Sequence, residues 1–164
     1  IGGWLAAEIA VRNSRHVRSL TLMASAGLRV PGTSMGDVFI WNDEESARHM
    51  VFDPAMRAAR LAAQPSDEEA DILVRNKFSF AKLAWHPRLF NPDVQKWLHR
   101  IQVPTQVIWG DHDGLFPLAY AHHWQQQLPG SGLHIVPDCG HSPINEKPAE
   151  TAALIHAFIA RDAA

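Results

Sequence analysis

Two residues stand where side-chain chemistry could be done. Asp113 lies in Trp109-Gly110-Asp111-His112-Asp113-Gly114, just past the short apolar run TQVIW (105–109). His141 lies in Asp138-Cys139-Gly140-His141-Ser142-Pro143, just past LHIV (133–136). Both runs read as strands, and in open parallel sheets functional groups collect beyond the strands' carboxyl ends. Strands that follow one another are commonly neighbours, so the two loops are expected to meet. A carboxylate held against one imidazole nitrogen fixes the tautomer. It also stabilises the imidazolium that forms when the other nitrogen takes a proton. The pair is therefore a candidate acid and base, acting on a nucleophile.

Other polar residues nearby have plainer readings. Asp111 falls closer to the strand end and is expected to cap the loop. His112, His122, His123, His134 and His156 read as loop or surface histidines, and His122 and His123 on one helix should face different directions. His134, Cys139 and His141 lack any recognised ligand spacing, so no metal site is expected. Cys139 is expected to be a small packed thiol.

The elements that must carry these residues can be read in outline. GWLAAEIAVRN (3–13) is rich in helix formers, with Trp4, Ala7, Glu8 and Val11 on one flank. Residues 17–24, VRSLTLMA, read as a strand covered on both faces. From 31 to 100 no run alternates long enough for a strand, and capping chemistry marks four helix starts. These are Asn42 with Glu45, Asp53 before Pro54, Ser66 with Glu69, and Asn91 before Pro92. After 100 the order becomes strand 105–109, helix 118–128, strand 133–136 and helix 149–161, the last opened by Pro148. Strands alternating with helices imply an α/β protein with a parallel sheet.

Composition narrows the partners. The chain is 46% hydrophobic and 20% charged, as globular proteins are. Its 15 basic and 17 acidic residues give a formal charge of −2, with no basic stripe. Nucleic acid and anionic membranes are therefore not expected as partners. The apolar runs are too short to span a bilayer. A single cysteine excludes an intramolecular disulfide and fits a reducing compartment, so a cytoplasmic setting is expected. The chain opens Ile-Gly-Gly-Trp without Met, and on that ground it is expected to begin mid-protein.

WGDHDGLFP, HIVPDCGHSPINEKP and the closing helix together resemble the C-terminal part of the α/β-hydrolase superfamily, in its lid-bearing branch. The resemblance implies a hydrolase core at 1–30 and 101–164, with a helical lid at 31–100. It also implies that Asp113 is the triad acid and His141 the base. The opening IGGWLAAE resembles the segment just after the nucleophile in the family's G-x-S-x-G elbow. The nucleophile would then stand immediately before Ile1, and the Ile1 backbone N–H would be an oxyanion-hole donor. Serine is expected there rather than aspartate, because relatives using aspartate usually place Trp next, where this chain has Ile1. Ser25 and Ser142 have no elbow flanks and are not taken as nucleophiles.

The activity so implied is hydrolysis of an ester or similar acyl bond in a small apolar substrate, with no cofactor. Leu115 and Phe116 are expected pocket residues. Lacking a nucleophile, the chain by itself is expected to be inactive. Alternatives are a C–C hydrolase of ring-cleavage products, an epoxide hydrolase or dehalogenase, and a non-catalytic ligand-binding homologue. Ser142, where many C–C hydrolases have Trp, weakens the first of these. Oligomeric state is left open.

Overall fold

The computed structural model describes residues 1–161. Three strands form a parallel sheet in the order β1 (Leu20–Met23), β2 (Thr105–Gly110), β3 (Gly132–Val136). Leu20 pairs with Thr105 and Met23 with Ile108 on one side of β2, while Gln106 pairs with Gly132 and Gly110 with Val136 on the other. As the central strand, β2 is buried along all its length.

Alternation along β2 divides its side chains between two cores. Val107 and Trp109 join Leu22 under α1 (Gly2–Arg12) and α6 (Leu118–Gln127). Ile108 points the other way, against Val136, Cys139 and the Leu154 and Ile155 side chains of α8 (Pro148–Arg161). The sheet is therefore covered on both faces, as a parallel sheet requires. The two large buried indoles keep their N–H groups paired: Trp109 donates to the Phe116 carbonyl at 2.8 Å and Trp124 to the Ser25 carbonyl at 3.0 Å.

Between β1 and β2 the chain is helical: α2 (Asp43–Met50), α3 (Pro54–Ala62), α4 (Asp67–Ala84) and the short α5 (Val94–Trp97). Three of the four expected starts are present. Asn42 and Ser66 make reciprocal capping boxes with Glu45 and Glu69, and Asp53 caps α3 ahead of Pro54. The fourth differs. Asn91 folds its side chain onto the Asp93 amide at 2.9 Å, so α5 begins only at Val94. The Asn91 side-chain NH2 also donates to Glu8 Oε1 at 2.6 Å, tying this segment to α1.

The first strand also starts later than its composition suggests. Val17 closes a 3-10 turn over Ser14–His16, its amide donating to the Ser14 carbonyl, and pairing begins at Leu20. Phe39, Phe80 and Trp85 pack together with ring centroids 5.0 and 5.2 Å apart, and Arg88 lies over Trp85. Among the described residues no helix is long and apolar enough to cross a membrane.

Candidate active site

The loops after β2 and β3 cross at backbone contact. A Cβ on Gly110 would lie 2.1 Å from the Gly140 carbonyl oxygen and 2.4 Å from that of Cys139. Only glycine allows this approach. The two loops are then laced together, the Asp111 amide donating to Val136 O at 3.1 Å and the His112 amide to Cys139 O at 2.9 Å. In return the Cys139 amide donates to the Asp111 carboxylate at 3.1 Å. Asp111, expected to cap its own loop, thus braces the neighbouring one through its carboxylate.

This framework brings Asp113 against His141. The Asp113 side chain has no exposed surface and His141 keeps 20% of its own. Oδ2 of Asp113 lies 2.9 Å from Nδ1 of His141. Oδ1 accepts from the Leu115 and Phe116 amides, each at 2.9 Å. Both carboxylate oxygens are thus directed by donors, and a rotation of the side chain would break at least one of these bonds. With Nδ1 donating to the carboxylate, Nε2 is the nitrogen left free to accept a proton. The Phe116 ring flanks the imidazole, 5.8 Å between centroids.

A protein-family model described as the α/β hydrolase fold matches residues 80–148, the stretch that holds both residues. The chain has the α/β-hydrolase fold. It is 36% identical over 63 residues to the monoacylglycerol lipase ABHD6 of Mus musculus, covering 38% of this chain and 19% of that protein. Similarity to the monoacylglycerol lipase abhd6-B of Xenopus laevis runs at 24% identity over 97% of the chain and 52% of the relative. The structure of CarC, a serine hydrolase involved in carbazole degradation, aligns with a TM-score of 0.68 and 26% identity, over 97% of this chain and 60% of that one. The chain therefore spans about half of the frog relative.

Other candidate residues of this α/β-hydrolase fold lie around the same edge of the sheet. Ile1 is partly buried against the main core. Gly3 packs on Ser25, two residues past β1, a Cβ there meeting Ser25 Oγ at 2.6 Å. The start of α1 therefore reaches the sheet edge from which Asp113 and His141 project. Ser25 is buried and donates to the Ala26 carbonyl at 2.8 Å, while the Ser142 hydroxyl accepts from Asn145.

Leu115 and Phe116, expected as pocket residues, are core side chains with 4% and 2% exposure. Both also contribute backbone, the two amides that hold Asp113. No group of three or more His, Cys, Asp or Glu able to hold a metal occurs among the described residues. His112 pairs with the neighbouring Asp111, and His123 lies 3.4 Å from Gln95.

Cys139 is fully buried, and that burial, helped by the nearby Glu146 carboxylate, pushes its thiol up to about 12. At pH 8 roughly one such thiol in ten thousand is thiolate. The native protein is expected to resist a colorimetric disulfide reagent at this pH and to react fully once unfolded in guanidinium. Fast labelling before unfolding would contradict the packed-thiol assignment. Glu146 and the backbone of residues 49–53 also bear on the site, and sequence reasoning passes over both. A carboxylate inside HSPINEKP is the only visible signal of them.

Proposed function

We propose that this chain supplies the acid and base of a Ser-His-Asp hydrolase whose serine stands immediately before Ile1. The observation that carries the reading is the 2.9 Å contact of a fully buried Asp113 with His141, formed where loops leave the carboxyl ends of adjacent parallel strands. The names of the mammalian and frog relatives, monoacylglycerol lipase, and of CarC, a serine hydrolase, support it. The opening IGGWLAAE, which caps and begins an 11-residue helix, supports the position of the serine.

In this mechanism His141 Nε2 takes the serine proton as Oγ attacks the substrate carbonyl, and Asp113 stabilises the imidazolium. The tetrahedral oxyanion forms near the Ile1 N–H, at the positive end of α1, where the helix dipole adds to the hydrogen bond. His141 then returns the proton to the leaving group, and water releases the acyl group by the same steps in reverse. Residues 31–100 act as the lid over a small apolar substrate. No cofactor takes part. Cys139, a single buried thiol, suits a reducing compartment such as the cytoplasm.

The test uses the protein in which this chain follows its natural upstream residue. If that residue is Ser, p-nitrophenyl esters are expected to be hydrolysed, and a fluorophosphonate should label that serine. Asp there would point to epoxide or halide chemistry, and Gly or Ala to a binding protein. Either finding rejects the acyl-hydrolase reading. One second reading is hydrolysis of a C–C bond in a ring-cleavage product, since a solved meta-cleavage product hydrolase shares the fold. Turnover of such a vinylogous diketo acid with esters inert would select it.

A further inference from the structure

The loop bearing His141 is anchored to the helical segment as well as to the sheet. Glu146, the last residue of α7 (Pro143–Glu146), places its carboxylate between two stretches of chain far apart in sequence. Oε1 accepts from the Gly140 amide at 3.0 Å, and Oε2 accepts from the Phe52 amide at 2.7 Å and the Asp53 amide at 3.3 Å.

Next to it, the Met50 carbonyl accepts from the His141 amide at 2.8 Å, and the His49 carbonyl accepts from the Gly114 amide at 2.9 Å. Arg57 also holds this stretch, donating to the Val51 and Phe52 carbonyls at 3.0 and 3.1 Å. Residues 49–53, the joint between α2 and α3, are thus a strap bound to the loops of both Asp113 and His141. Two glycines make room for it. A Cβ on Gly140 would sit 2.5 Å from the Met50 oxygen and 2.8 Å from Glu146 Oε1, and one on Gly114 would sit 2.5 Å from the His49 oxygen.

We infer that Glu146 is a positioning residue: it locks the His141 loop to the 49–53 strap, so that the placement of the helical segment sets the placement of the imidazole. The chemistry asks for a carboxylate. Each oxygen must accept from a backbone N–H on a different segment, and no neutral side chain of this length has two acceptor oxygens. Glutamine fits the space but can satisfy only one side, because its NH2 would face an N–H on the other. Aspartate is one methylene short of spanning the gap.

The catalytic consequence rests on His141 being the base proposed above, whereas the structural claim does not. The experiment therefore reads both, in Glu146→Gln and Glu146→Ala of the serine-bearing protein. Amide exchange at Gly140, Phe52 and Asp53 is expected to quicken by about tenfold or more in Glu146→Ala. In Glu146→Gln it should quicken on one side of the carboxylate only. The Nδ1–H resonance of His141 should broaden in both variants. Ester turnover should fall about tenfold in kcat with KM little changed, since loosening the base affects the chemical step more than binding.

Unchanged exchange at these amides in Glu146→Ala would overturn the inference. So would a uniform loss of protection over the whole sheet in Glu146→Gln, which would mark a merely structural role. Altered exchange and a broadened His141 signal, in a parent protein that hydrolyses no ester, would uphold the lock and reject the hydrolase reading alone.

Discussion

Replacing His141 by Ala, in the protein that carries this chain behind a serine, is expected to lower ester kcat by about five to six orders of magnitude. Without the imidazole the serine loses its proton acceptor. The other histidines of the region are committed elsewhere, His112 to Asp111 and His49 to a stack on Trp41.

Asp113→Asn should cost about 10⁴ in kcat by a different route. Its carbonyl oxygen can still accept from the Leu115 and Phe116 amides, so the turn should survive. Its NH2 would then face His141 Nδ1 and force that nitrogen to accept. The proton moves to Nε2, and the imidazole becomes the wrong tautomer for a base. The double variant should be scarcely slower than His141→Ala, because the two residues act as a unit. Single-turnover rates would check this. Ester turnover by His141→Ala at the parental rate would remove His141 from the mechanism.

Gly110→Ala is expected to be the most damaging small substitution in the fold. The added methyl would meet two backbone oxygens at 2.1 and 2.4 Å, and backbone cannot swing aside as a long side chain can. The clash lies at the end of the fully buried central strand, so relief means separating the β2 and β3 loops. Overpacking of this kind costs about 1–3 kcal/mol or more, which for a chain of this size lowers Tm by several degrees. The separation should also lengthen the Asp113–His141 contact, so turnover should fall by more than stability accounts for. A variant with the parental Tm and kcat would show that the loops can part without consequence.

Much of this was legible in the sequence because it was written locally. Ser66 and Glu69 announce α4 by their spacing, and Gly-Asp-His-Asp after an apolar run marks the end of a strand. Asp113 and His141 could be paired because each comes directly after a strand, and the order of parallel strands brings such ends together. What sequence could not reveal depends on partners remote along the chain. Asn91 looked like a helix start because Pro92 is next to it, but its carboxamide is drawn to Glu8 of α1. Leu115 and Phe116 draw attention by their side chains, and nothing in their types announces that their amides hold the Asp113 carboxylate. Glu146 reaches amides 94 and 93 residues earlier, a contact no spacing rule describes.

The strap bears on any test of the proposed lid in which residues 31–100 are exchanged between related proteins. A graft with seams at 31 and 100 would import a foreign 49–53 stretch, and with it foreign carbonyls opposite Gly114 and His141. Placing the upstream seam at Pro54 leaves those carbonyls with the recipient. The exchange then replaces residues 54–100 and keeps the backbone contacts to Gly114 and His141 as they were.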